Sequence, residues 1–208
     1  MTTAMDAAMQ AVREQRIVGI VRTKTQDEAA AVVTKLMASG LRTIEVSLVT
    51  PGALDVIRHA AATAPDGVNI GVGTALSIDD VKRSADAGAR FVVAPTLRED
   101  VIKTSLDLGL ATFPGVATPT EAMQAVEWGS TFVKLFPASL WTPAVMKDML
   151  TALTDLEIVP TGGVDLSNAA EWIRAGAAAL GVGGTLTRAE DPAAVVRELT
   201  DLIAGAQN

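Results

Sequence analysis

Residues 132–164 read FVKLFPASLWTPAVMKDMLTALTDLEIVPTGGV. The stretch has three parts. Residues 132–136 are a short apolar run broken by one lysine. From Pro143 onward, Ala, Val, Met and Leu alternate with Thr, Lys and Asp as on an amphipathic helix, with proline suited to the first turn. Residues 157–160 are a second apolar run, followed by Thr161 and the pair Gly162-Gly163. Strand, helix and strand in this order make one βα unit and the start of the next, the building block of a parallel sheet.

The same unit recurs in both directions along the chain. Strand candidates lie at 17–22, 43–48, 69–73, 91–94, 111–114, 132–136, 157–160 and 179–182. Helix-like stretches start near Thr25, Pro51, Ser77, Arg98, Thr118, Pro143, Ser167 and Asp191, many at residues that cap or open a first turn. Repeats of roughly 20 to 25 residues, eight times over, predict an α/β fold of the (β/α)8 TIM barrel type. Residues 1–15 add an N-terminal helix, and 1–208 form one barrel domain. A doubly wound sheet would open with a G-x-G-x-x-G turn after its first strand, but Val21-Arg22-Thr23 stands there instead. Residues 205–208 read as a frayed tail.

Composition narrows the chemistry. The 208 residues are 49% hydrophobic but only 3% aromatic, with no tyrosine, as suits strands buried on both faces and tightly packed helices. A net charge of −7 without a basic run excludes nucleic acid as a partner. The absence of cysteine and the single His59, on an outer helix, leave no thiolate chemistry and no metal site. No apolar run spans a membrane and no signal segment is evident, so a soluble, cytoplasmic protein is expected. The three tryptophans read as packing residues.

Active sites of such barrels form at the carboxyl ends of the strands. Lys134 is the one lysine flanked by apolar residues within a strand. Burial disfavours its ammonium form and makes an amine available to attack a ketone. The alternative is an ion-paired lysine. In 43–48, alternation turns Ile44, Val46 and Leu48 toward the helices, and Thr43, Glu45 and Ser47 inward. A carboxylate there needs a partner, for which Lys134 is the candidate, or a use in moving protons. The glycines of 161–164 and 181–185 expose backbone N–H groups where barrels often hold phosphate, although tight turns with positive φ would also select glycine. Thr74 suits a substrate carboxylate or hydroxyl. Arg22 is either a carboxylate clamp or a surface arginine. Phe136 shares the face of Lys134.

With I-E-V at Glu45, V-G-T at Thr74, F-V-K-L-F-P-A around Lys134, P-T-G-G-V at Gly162 and G-V-G-G-T at Gly184, the chain resembles the 2-keto-3-deoxy-6-phosphogluconate aldolase family over nearly its whole length. The resemblance implies a homotrimeric barrel, free of metal and cofactor. It would cleave the phosphorylated keto sugar acid to pyruvate and glyceraldehyde 3-phosphate. It implies that Lys134 forms the Schiff base and Glu45 shuttles protons. Thr74, Pro95, Phe136 and Thr161 would contact the pyruvate part, and Gly162, Gly163, Gly184 and Thr185 the phosphate. Many members carry arginine four residues after the glutamate, where this chain has Val49. Others carry it at the end of strand one, as Arg22 does, and these include galactonate-specific relatives. The gluconate substrate leads. The galactonate epimer and 4-hydroxy-2-oxoglutarate are rivals, oxaloacetate decarboxylation by the same lysine is a second rival within enzymes, and a non-catalytic phosphometabolite-binding barrel is the alternative of another class.

Overall fold

A computed structural model describes residues 3–206. Nine parallel strands appear: β1 (Ile17–Val21), β2 (Thr43–Ser47), β3 (Asn69–Gly73), β4 (Phe91–Val93), β5 (Ala111–Phe113), β6 (Gly115–Val116), β7 (Phe132–Leu135), β8 (Glu157–Pro160) and β9 (Leu180–Val182). Six run in the order β5-β4-β3-β2-β1-β9 and three in the order β6-β7-β8. The two arcs meet on both sides. Thr161, beyond β8, bridges to Gly181 of β9, and the Ala178 N–H donates to the Ile158 carbonyl at 2.8 Å. On the other side the chain passes from β5 to β6 through Pro114, which has no N–H to give a ladder. The fifth expected strand is thus β5 and β6 together, bent at a proline and extended to Val116.

The helices are α1 (Ala4–Gln15), α2 (Gln26–Ala38), α3 (Ala53–Thr63), α4 (Ile78–Asp86), α5 (Glu99–Asp107), α6 (Pro119–Glu127), α7 (Pro143–Ala152), α8 (Ala169–Arg174), α9 (Gly184–Thr187) and α10 (Pro192–Ala206). Thr25, Ser77 and Thr118 cap α2, α4 and α6, each hydroxyl accepting from the N–H three residues on. A free N–H that would otherwise be lost from the ladder is thereby satisfied, for about 1 kcal/mol per cap. The tail expected at 205–208 ends α10 at Ala206, and 207–208 lie outside the described residues. The short α9 was not foreseen. Among the described residues no helix is long and apolar enough to cross a membrane, and no group of three or more His, Asp or Glu could hold a metal.

Alternation along the strands builds two apolar clusters. Ile44 and Val46 of β2 join the outer one, with helix residues such as Val33, Leu36 and Ile57. The inner cluster fills the lower barrel with Phe91, Phe113, Phe132 and Val159, and α1 closes that end with Ala8 and Val12. Phe113 stacks on Phe132 with centroids 4.9 Å apart and meets Phe91 edge-on at 5.7 Å. Arg13 of α1 lies 5.3 Å over the Phe132 ring while making two hydrogen bonds to the Glu157 carboxylate. The floor is therefore packed and the opposite end is left for chemistry.

Candidate active site

Above that floor, at the carboxyl ends of the strands, a cleft of about 310 Å³ opens. Its lining includes Arg22 from the end of β1, Glu45 and Ser47 of β2, Thr74 after β3 and Pro95 after β4. Lys134 and Phe136 come from β7 and its end, Thr161, Gly162 and Gly163 from beyond β8, and Gly183 and Gly184 from beyond β9. A larger hollow, about 560 Å³, lies at the opposite end between α1 and the strand entrances, beside Arg42, Asp66 and Arg90. That hollow contains no buried ionisable group, whereas the smaller cleft contains both buried ones, Glu45 and Lys134. The chemistry therefore belongs to the smaller cleft.

Lys134 is 7% exposed and its Nζ lies 4.6 Å from the centroid of the Phe136 ring. Burial holds its pKa below the usual lysine range. The Glu45 carboxylate opposes that shift and the Arg22 cation adds to it. Glu45 is 2% exposed, and burial raises its pKa against the lowering pull of Lys134 and then Arg22. The two groups act on each other through space, because the ion pairs among the described residues do not include one between them. The contact pair considered for Lys134 is absent. What the cleft offers instead is a desolvated amine and a desolvated carboxyl, each moved toward its neutral form and facing one space.

Glu45 owes its position to a glycine. A Cβ on Gly73 would lie 1.8 Å from Glu45 Oε1, so the carboxylate rests where a side chain of β3 would otherwise be. Just beyond, Thr74 takes φ of +62°, a left-handed conformation that costs a non-glycine residue on the order of 1 kcal/mol. Its hydroxyl is 2.7 Å from that of Ser47. The strained backbone thereby presents a fixed pair of hydroxyls beside Glu45. Thr161 is buried and donates to the Val159 carbonyl at 3.2 Å.

Gly162 and Gly163 have φ of +87° and +95°, so the turn itself requires glycine at both positions. Gly183 and Gly184 do not adopt positive φ; a Cβ on Gly183 would make only ordinary contacts with Ile20, at 3.8 Å, whereas Gly184 is approached closely by a side chain. A Cβ on Gly184 would lie 2.6 Å from a guanidinium nitrogen of Arg188.

Of the residues singled out from sequence, Lys134, Glu45, Arg22, Thr74, Pro95, Phe136, Thr161, Gly162, Gly163 and Gly184 all line the cleft. Thr185, half-buried in α9, is not among the lining residues. Arg22 is exposed at the mouth. Gly181 and Gly183, within the glycine run noted at 181–185, also line the cleft; Ile20 and Val164 line it without having been singled out, as does Ser47, whose inward alternation was the available signal. Val49, 59% exposed, occupies the rim.

Residues 8–197 match the family model described as KDPG and KHG aldolase. A curated relative from Rhizobium meliloti (strain 1021), named a probable 2-dehydro-3-deoxy-6-phosphogalactonate aldolase, is 37% identical over 89% of this chain and 88% of its own. The 2-dehydro-3-deoxy-phosphogluconate aldolase of Treponema pallidum (strain Nichols) is 32% identical over 81% of this chain and 80% of its own. A solved structure titled "Native KDPGal structure" superposes with a TM-score of 0.81 at 32% identity, covering 92% of this chain and 93% of that one.

Proposed function

The chain belongs to the KDPG and KHG aldolase family, and on that premise we propose that Lys134 is the Schiff-base nucleophile of an aldolase acting on 2-keto-3-deoxy-6-phospho sugar acids. The observation that carries this reading is the desolvated amine of Lys134 facing the buried Glu45 at the ligand end of the barrel.

The neutral amine adds to C2 of the keto acid, and the resulting carbinolamine loses water to give an iminium ion. Glu45, whose pKa burial raises, donates in its protonated form the proton with which the hydroxyl leaves. As a carboxylate it then takes the proton from the C4 hydroxyl, directly or through a water. The C3–C4 bond breaks, its electron pair moves into the iminium as an enamine, and glyceraldehyde 3-phosphate departs. Protonation at C3 and hydrolysis release pyruvate and restore the amine. Arg22 and the Ser47–Thr74 hydroxyls suit the carboxylate end of the substrate. Pro95, Phe136 and Thr161 enclose the pyruvate portion, while Gly162, Gly163 and Gly184, with Thr185 beside them, hold the phosphate.

For the sugar, the galactonate epimer is favoured over the gluconate. Arg22 stands where galactonate-specific relatives carry arginine, and the 37% identical relative bears the galactonate name. Gluconate and 4-hydroxy-2-oxoglutarate remain the competing substrates. Comparing kcat/KM on the two epimeric phosphates decides between them, and a gluconate preference overturns the assignment. Homotrimeric assembly and a cytoplasmic setting complete the proposal. The resemblance supports the trimer, which sedimentation equilibrium tests by returning three chain masses.

The mechanism is tested by borohydride reduction with pyruvate present, followed by peptide mass analysis. An adduct on Lys134, missing from Lys134→Ala, is the expected result, with kcat/KM of the variant down by about 10⁴-fold. An unmodified Lys134 at saturating pyruvate rejects the mechanism.

A further inference from the structure

Arg188 follows α9, and its side chain leans back one turn so that the guanidinium lies against the backbone of Gly184. A Cβ on Gly184 would lie 2.6 Å from Nη2 and 2.7 Å from both Cζ and Nη1, which places the plane of the group over the missing side chain. The backbone of Gly184 in turn lines the cleft.

The guanidinium is also without a counter-ion. Arg13, Arg42, Arg58, Arg83, Arg98 and Arg197 are ion-paired with carboxylates, but among the described residues Arg188 is not. Acids follow it closely in sequence, yet Asp191 is turned to Arg197 and to the N–H of Ala194. Arg188 is not itself a lining residue, but through Gly184 it stands next to a cleft whose lining already holds Arg22 and Lys134 with Glu45 as its one carboxyl, in a chain of net charge −7. A local positive region in an acidic protein concentrates polyanionic small molecules.

We propose that Arg188 grips the phosphate ester of the substrate, with the β9–α9 glycines serving as its platform, and so sets the preference for phosphorylated over unphosphorylated keto acids. The inference rests on the aldolase reading above. A guanidinium binds two phosphate oxygens at once, whereas lysine offers a point charge and glutamine none.

The test compares wild type, Arg188→Gln and Arg188→Lys on the preferred 2-keto-3-deoxy-6-phospho acid and on the same acid without phosphate. The ratio of the two kcat/KM values falls about 10- to 100-fold in Arg188→Gln and recovers in part in Arg188→Lys. Inhibition by inorganic phosphate weakens in parallel. Pyruvate trapping on Lys134, run on the same preparations, separates the two ways of failing. If wild type and Arg188→Gln both trap pyruvate and the ratio is unchanged, Arg188 has no part in phosphate recognition and the aldolase reading stands. A loss shared equally by both substrates assigns Arg188 a structural role and overturns the proposal. If wild type traps no pyruvate, the aldolase reading fails and takes this inference with it.

Discussion

The Cβ that Gly73 lacks would lie 1.8 Å from Oε1, 2.4 Å from Cδ and 2.6 Å from Cγ of Glu45. Gly73→Ala therefore moves the carboxylate rather than grazing it. An acid–base group displaced by an ångström loses on the order of 10²-fold in rate. The expected outcome is a kcat about 10²-fold down in a barrel that still folds, because the flexible end of Glu45 absorbs the clash. Steady-state kinetics and circular dichroism on one sample check it. The charge of Glu45 has a second, less obvious consequence for Lys134. Burial lowers the lysine pKa while the Glu45 carboxylate raises it, so Glu45→Gln removes the opposing influence. The Lys134 titration midpoint shifts further down in Glu45→Gln, even as turnover drops for want of a proton shuttle. An NMR titration of the lysine in both proteins reads that shift, and a midpoint moving upward would contradict the assigned electrostatics.

Helix caps separate stability from chemistry at the scale of the element. Thr118 accepts from the Glu121 N–H at 3.2 Å, and the Glu121 carboxylate accepts in return from Thr118 Oγ1 and the Ala117 N–H. Thr118→Ala is expected to cost about 1 kcal/mol in urea denaturation and to leave kcat unchanged. Caps of this kind were readable in the sequence, as were β2, β3 and β8, because hydrophobic period and capping chemistry are local signals. The interruption of the fifth strand was not, although Pro114 causes it: the reading of 111–114 as one strand ignored the missing N–H. The site was legible wherever strand alternation fixed direction, as at Glu45 and Lys134. It was less so beyond β9, where 181–185 stood out only as a run of glycines. There α9 turns each successive side chain by about 100°, which separates Thr185 from the cleft and brings Arg188 back over Gly184. Four residues are too short for a periodic pattern, so α9 and the place of Arg188 became visible only in the folded chain.

The whole molecule divides its ends between stability and reactivity. The floor buries stacked phenylalanines under α1, whereas the open end buries two ionisable groups without a contact ion pair. The effect of each group on stability has a definite sign. Glu45 has its folded pKa raised, so its contribution is fully present below the unfolded pKa and is lost as pH rises through the folded value. Lys134 has its folded pKa depressed, so its contribution is present above the unfolded pKa and is lost as pH falls through the folded value. In the window where carboxylate and ammonium coexist, each charge lowers the stability of the fold. Their attraction offsets only part of this, since burial is the larger influence on both. Removing Lys134 alone would leave a carboxylate buried beside fewer cations, so the informative variant neutralises both. Within that window Glu45→Gln/Lys134→Met is expected to be more stable than wild type, by up to about 1–4 kcal/mol, the range found when buried charged pairs give way to uncharged, well-packed side chains. The gain shrinks once the pH drops below the folded pKa of Glu45 or rises above that of Lys134, because wild type then buries one charge fewer. Urea midpoints measured across pH decide the matter. A double variant no more stable than wild type at any pH across the series would mean that the cleft solvates both charges well, and that the reactivity of Lys134 has a source other than burial.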